Sequence, residues 1–109
     1  MTEEELAWLG AVEIARRVNA GELDPQAVVE AHLARISHYN PALNAFIDLD
    51  RQARAGSRGS LAGVTVGAKE SYQVKGMSWT WSSPKFKDQR ATEDSAPIAF
   101  FREAGAAIL

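Results

Sequence analysis

Lys69 closes a short apolar run, Leu61-Ala62-Gly63-Val64-Thr65-Val66-Gly67-Ala68, and is followed by Glu70. A lysine at the end of a buried strand can be held where its ammonium is poorly solvated, which lowers its pKa and makes it a usable base. The plainer alternative is a lysine that reaches water along its aliphatic stem. Ser82 and Ser83 follow in the chain and invite a nucleophile reading. They lack a Gly-x-Ser-x-Gly elbow, and the expectation is that they hydrogen-bond the backbone of their own loop. His32 falls in an apolar stripe with no second histidine, cysteine or carboxylate at ligand spacing, so it reads as a packed residue, while His38 lies on the polar side. Trp79, Trp81 and Phe86 interleave with Lys75, Lys85 and Lys87 in the manner of a single-strand-binding surface. Asp88, Glu93 and Asp94 dilute that charge, which favours aromatics that plug the open side of a sheet or line a substrate pocket.

The elements that must position these residues are legible in outline. Thr2 with Glu5 reads as a capping box, followed by a stripe of Trp8, Ala11, Val12, Ala15 and Val18, and the spacing predicts one amphipathic helix ending at Gly21. Asp24 and Pro25 start a second helix, with Val28, Val29, His32, Leu33 and Ile36 inward and Glu30 and Arg35 solvated, which Asn40-Pro41 should stop at about Tyr39. Together they predict a helical hairpin over residues 1–41, with residues 42–109 beginning an α/β sheet. A short strand is expected over Leu43–Leu49, a surface linker over Arg51–Ser60, and a buried strand over Val64–Ala68. The loop from Ser71 to about Ala91 is too long for an ordinary connection, so it is functional or mobile. Thr92 or Asp94 should cap a last helix that ends at Gly105, and Ala106–Leu109 reads as a second buried strand. Strand, helix and strand in alternation imply parallel pairing. The expected fold class is therefore α/β, an N-terminal helical hairpin packed on part of a mixed, mostly parallel sheet.

Composition narrows the possible functions. With 46% hydrophobic and 24% charged residues the 109-residue chain is of globular type, and its net charge of −2 gives no electrostatic case for nucleic acid or an anionic membrane. There is no cysteine, which excludes disulfides, thiolate nucleophiles and cysteine metal sites. The acidic start Glu3-Glu4-Glu5 is unlike a secretory signal, and no apolar run approaches the roughly 18 residues of a membrane span, so the expected location is cytoplasmic.

Beyond these local signals, the order of residues is informative. Ala20-Gly21-Glu22-Leu23-Asp24-Pro25, Ala31-His32-Leu33-Ala34-Arg35-Ile36, Asn40-Pro41-Ala42-Leu43-Asn44-Ala45-Phe46, Lys69-Glu70, Val74-x-Gly76, Thr80-Trp81 and Ala104-Gly105-Ala106-Ala107-Ile108-Leu109 follow one another in a way that resembles the opening third of the amidase signature family. The resemblance implies an incomplete amidase signature fold and a hydrolase acting on amide bonds through a Ser–cis-Ser–Lys mechanism. It also implies that Lys69 is the catalytic base, that the substrate is a small-molecule amide, and that no cofactor or metal is needed. Where the family usually has Pro, Asp, a Thr-Thr pair and Gly-Ser, this chain has Thr65, Glu70, Trp79-Thr80 and Ser82-Ser83. Glu70 keeps the charge, whereas Ser82 in place of Gly argues against a positive-φ turn there.

The cis-serine and the nucleophilic serine come later in the family's order than Leu109, and no Gly-Gly-Ser-Ser-Gly run occurs here. The expectation is therefore an N-terminal amidase segment that is inactive alone, since a base without its nucleophile cannot form an acyl-enzyme. The competing expectation is a non-catalytic binding or regulatory module derived from an amidase, docking through its Trp-rich loop and an unpaired sheet edge that could also drive self-association.

Overall fold

A computed structural model describes all residues from 1 to 109. The capping box at the N-terminus forms as expected: Thr2 Oγ1 accepts from the Glu5 N–H and the Glu5 carboxylate accepts from the Thr2 N–H. Helix α1 spans only Glu3–Ala7, however, and a separate helix α2 spans Ala11–Asn19. Gly10, extended at φ −71°, caps α2, because glycine loses most by being fixed in a helix. The break lets Leu6 and Leu9 turn toward the same cluster as Ile14, Ala15 and Val18. Trp8 and Val12, expected in the apolar stripe, are instead exposed. Trp8 lies 5.0 Å from the Arg35 guanidinium, which also stacks on Tyr39, so Arg35 is a half-buried stacking partner and not part of a solvated face.

Helix α3 spans Pro25–Leu43, starting where Asp24 accepts a hydrogen bond from the Gln26 N–H. It runs through Pro41 to an Asn44 cap at φ +51°, four residues beyond the expected stop. Pro41 stands in the last turn, where its missing N–H removes one bond, and the Asn44 N–H still closes the helix on the Asn40 carbonyl at 2.7 Å. The Asn40 side chain then decides the following segment. Its amide donates to the Phe46 carbonyl and accepts from the Phe46 N–H, both at 2.9 Å, so Phe46 already has both main-chain partners and the strand expected over 43–49 is a loop.

Strand β1 (Thr65–Val66) pairs in parallel with β2 (Ala107–Ile108), Thr65 opposite Ala107 and Val66 opposite Ile108. The pairing is as expected, though β1 is shorter than Val64–Ala68. Side-chain alternation splits the core. Ala107 and Leu109 meet Val29 of α3 on one face, and Ile108 meets Val74 and Ile98 on the other. Ile98 belongs to helix α4, Ala96–Glu103, which links the two strands. Its cap is Ser95, whose hydroxyl makes no capping bond. Asp94, the expected cap, accepts from the Lys75 N–H and pairs with Arg102 at 2.8 Å, so its oxygens are engaged elsewhere.

The 51–60 stretch is not a loose linker. The Gly105 carbonyl accepts from both Gly56 and Gly63, Ala104 accepts from Leu61, and the Asn19 amide brackets Gly59 with bonds of 2.8 and 3.1 Å. Gly59 and Gly105, at φ +124° and +99°, allow this close backbone approach. No helix is long and apolar enough to cross a membrane.

Candidate active site

Downstream of β1 the chain turns back after Lys69, with the Tyr72 N–H donating to the Lys69 carbonyl at 2.9 Å. Residues 67–72 form one wall of a cleft of about 780 Å³, which the 45–48 loop, Met77, Ser78, Trp81, Ser82 and Leu109 complete. Lys69 lines this cleft. Of the two environments open to it, this structure has the solvated one: its side chain is exposed and makes no ion pair or hydrogen bond within the chain. Val66 and Ala68 before it pack against the core, whereas Lys69 itself is exposed.

The neighbouring carboxylates are held firmly. Glu70 accepts from the Thr80 N–H at 2.6 Å, from the Thr80 hydroxyl, and from the Ser82 N–H at 3.3 Å. The Ser83 N–H donates to the Thr80 carbonyl at 2.9 Å, closing a turn in which Trp81 and Ser82 both lie at φ +55°. The positive-φ turn that Ser82 argued against is therefore present. Each such residue is strained by about 1–3 kcal/mol, and a conformation of that kind persists only where its surroundings over-determine it. The Glu70 clamp is that constraint. Asp48 holds the other side of the cleft through the Ser78 N–H at 2.9 Å and the Leu49 N–H at 3.0 Å, with Arg90 at 3.6 Å. The Ser78 N–H, more than the other donors, keeps its carboxyl below the ordinary aspartate range.

The loop from Ser71 to Ala91 is bound along its length. Trp79 Nε1 donates to the Ser71 carbonyl at 3.2 Å, Trp79 and Gln89 exchange hydrogen bonds, and Gly76 and Met77 bond Ala91. Ser82 and Ser83 serve it through their main-chain N–H groups, to the Glu70 carboxylate and the Thr80 carbonyl, and not through the hydroxyls expected to bond the loop backbone. Of the aromatics, Trp81 lines the cleft and Trp79 anchors the loop behind it, while Phe86 is exposed beneath Lys85. His32 is the packed residue expected. Its Nδ1 lies 2.7 Å from Thr65 Oγ1, joining α3 to β1, and burial pushes its imidazole below the ordinary histidine value. Asp48 and Phe46 escaped sequence reading because their segment resembled a strand. The length of the 71–91 loop, with Lys69 and the aromatics read as pocket-lining, pointed to this region.

Thr80 lowers the Glu70 carboxyl below its usual range, chiefly through its hydroxyl, with help from the Thr80 and Ser82 N–H groups and against partial burial. A depressed folded-state value means that the clamp contributes its full stability above the unfolded glutamate value of about 4.3 and loses it as pH falls through the lower folded value. Acidification from about pH 6 to about pH 3 is expected to release the turn, followed by the fluorescence of Trp79 and Trp81. Glu70→Gln should flatten the part of that response that Asp48→Asn leaves intact. An unchanged pH response in Glu70→Gln would refute the clamp.

The amidase family profile matches residues 27–109, most of the chain. The chain belongs to the amidase family. Among curated amidase relatives, an acylamidase from Rhodococcus erythropolis is 32% identical over the whole of this chain and 26% of its own length. A glutamyl-tRNA(Gln) amidotransferase subunit from Acidothermus cellulolyticus is also 32% identical, over 91% of this chain and 22% of its own. Among solved structures, 6-aminohexanoate cyclic dimer hydrolase complexed with substrate superposes with a TM-score of 0.78 at 26% identity, covering 94% of this amidase chain and 23% of that one. An inhibitor-bound vestigial complex related to the origins of an s-triazine catabolic enzyme gives 0.84 at 22% identity, covering 93% and 25%, and supports the shared fold. This amidase chain thus spans about a quarter of the length of the relatives it matches.

Proposed function

We propose that this segment supplies the general base of a Ser–cis-Ser–Lys amide hydrolase, with Lys69 as that base. The observation that carries the reading is Lys69 itself: in a chain of the amidase family, the lysine that the family resemblance matches to the base lines a cleft of about 780 Å³ just beyond β1. In the reaction, the neutral lysine takes a proton, relayed through the cis-serine, from the serine that attacks the amide carbonyl. The tetrahedral oxyanion is held by backbone N–H groups and collapses to an acyl-enzyme, expelling the protonated amine, and water then releases the acid.

The 109 residues on their own are proposed to be inactive. A working base of this type needs a nucleophile in reach and shielding from water, and here the Lys69 side chain is open to solvent and makes no hydrogen bond to a serine hydroxyl. Release of ammonia or a chromogenic amine from aryl and aliphatic amides is expected to stay at the buffer rate. Turnover that disappears in Lys69→Ala would instead show that this segment holds a complete catalytic set, and the division of labour proposed here would be wrong.

A further inference from the structure

We infer that Trp81 is a specificity-determining residue, a fixed aromatic platform that selects neutral aromatic amides for the Lys69 cleft. The inference rests on the amide-hydrolase reading and names its substrate class. A tryptophan at positive φ is a rare conformation, because its Cβ crowds the backbone, and here the next residue shares it. An inference from such an outlier runs from the strain to what the strain achieves. In this chain it places Trp81, a residue 58% exposed, in the lining of the cleft. Were the turn relaxed, the ring would lose that fixed position. Behind it, Trp79 lies at 6.3 Å between ring centroids and 48° between planes, and its own N–H is tied to the Ser71 carbonyl. Two supports, the Glu70 clamp below and Trp79 behind, therefore pre-organise a flat apolar face. Tyr72, half exposed, lines the same cleft.

Charge decides the other half of the assignment. The two carboxylates in the cleft, Asp48 and Glu70, have their oxygens engaged by N–H donors of the chain itself, so neither is left to recognise an ammonium. Lys69 is the sole cationic side chain lining the cleft, and no arginine is present there to take a carboxylate in the bidentate manner. The ammonium of an amino acid would meet only carboxylates already engaged by the chain, whereas a planar acyl group can stack on Trp81.

The test titrates the 109-residue chain with benzamide and glutamine while the indole N–H signals of Trp8, Trp79 and Trp81 are followed by NMR. Benzamide is expected to shift Trp81 and Trp79, to leave Trp8 unmoved, and to bind about tenfold more tightly than glutamine, which has no ring, the size of effect that ring stacking supplies. Trp81→Asn, a residue that tolerates the left-handed backbone, should weaken benzamide by about tenfold, and Trp81→Phe should recover most of that loss. The preference of the unaltered chain needs no variant, so a variant that folds poorly does not remove the test. Equal affinity for benzamide and glutamine, absence of a Trp81 response, or an Asn variant that binds as tightly as the parent would overturn the inference, whether or not amides are hydrolysed. Selective benzamide binding at Trp81 without turnover in any extended form supports it and counts only against Lys69 as the base.

Discussion

Joined to the remainder of a relative such as the Rhodococcus acylamidase, which this chain matches over its full length, Lys69→Ala is expected to lower amide hydrolysis by about a thousandfold. The magnitude follows from the proposed role: a base that must take the nucleophile's proton has no replacement among this chain's residues, since no other lysine, histidine or arginine of it lines the cleft. Its exposed side chain carries no packing, so the melting temperature should hardly move. Lys75→Ala is the control. Its side chain is exposed and its backbone N–H, which the substitution preserves, makes its bond to Asp94, so activity should stay within about twofold. Equal losses in the two variants would refute the assignment of Lys69, and an active parent with an unimpaired Lys69→Ala variant would do so outright.

Gly105→Ala in the 109-residue chain should be the most damaging of the single-methyl additions discussed. Gly105 sits at φ +99°, and a Cβ there would lie 2.7 Å from the Arg58 carbonyl oxygen and 2.9 Å from the Ala62 Cα. Both are backbone atoms of the segment docked onto the end of α4, so neither can swing aside as a flexible side chain would. Left-handed strain and overpacking together are expected to remove about 3–5 kcal/mol, a large share of the stability of a domain this size. Gly76→Ala separates the two contributions. Gly76 is also left-handed, at φ +82°, but has nothing within 4 Å of the added carbon, so it should lose only about 1–2 kcal/mol. Urea denaturation of both variants measures the difference. Similar losses would show that the close approach of the 56–63 segment to Gly105 contributes little.

The same packing explains which parts of the site could be read in advance. Lys69 was legible because an apolar strand ending in a cation is a local pattern and because its neighbours recur in family order. Its exposure was not, since solvation depends on which distant segments come to lie over a side chain. Glu70 could be recognised as a retained charge, but its grip on Thr80 joins residues ten apart through a turn whose positive φ values contradict the local preference of tryptophan and serine. Asp48 reaches Ser78 across thirty positions, with nothing in its own segment to mark it.

What the sequence by itself determined are the features completed within a turn or two of chain: the Thr2–Glu5 box, the Asp24–Pro25 start of α3, the glycine end of α4 and the apolar runs that pair as parallel β1 and β2. In each, the partner that satisfies a backbone group lies a few residues away, so residue type and spacing suffice. Tertiary structure alone decided the passage of α3 through Pro41, the loop at Phe46, the docking of Gly59 and Gly105, and the clamped turn under Trp81. There the competing local choices differ by only about 1–3 kcal/mol, and side chains from elsewhere supply the deciding hydrogen bonds and contacts.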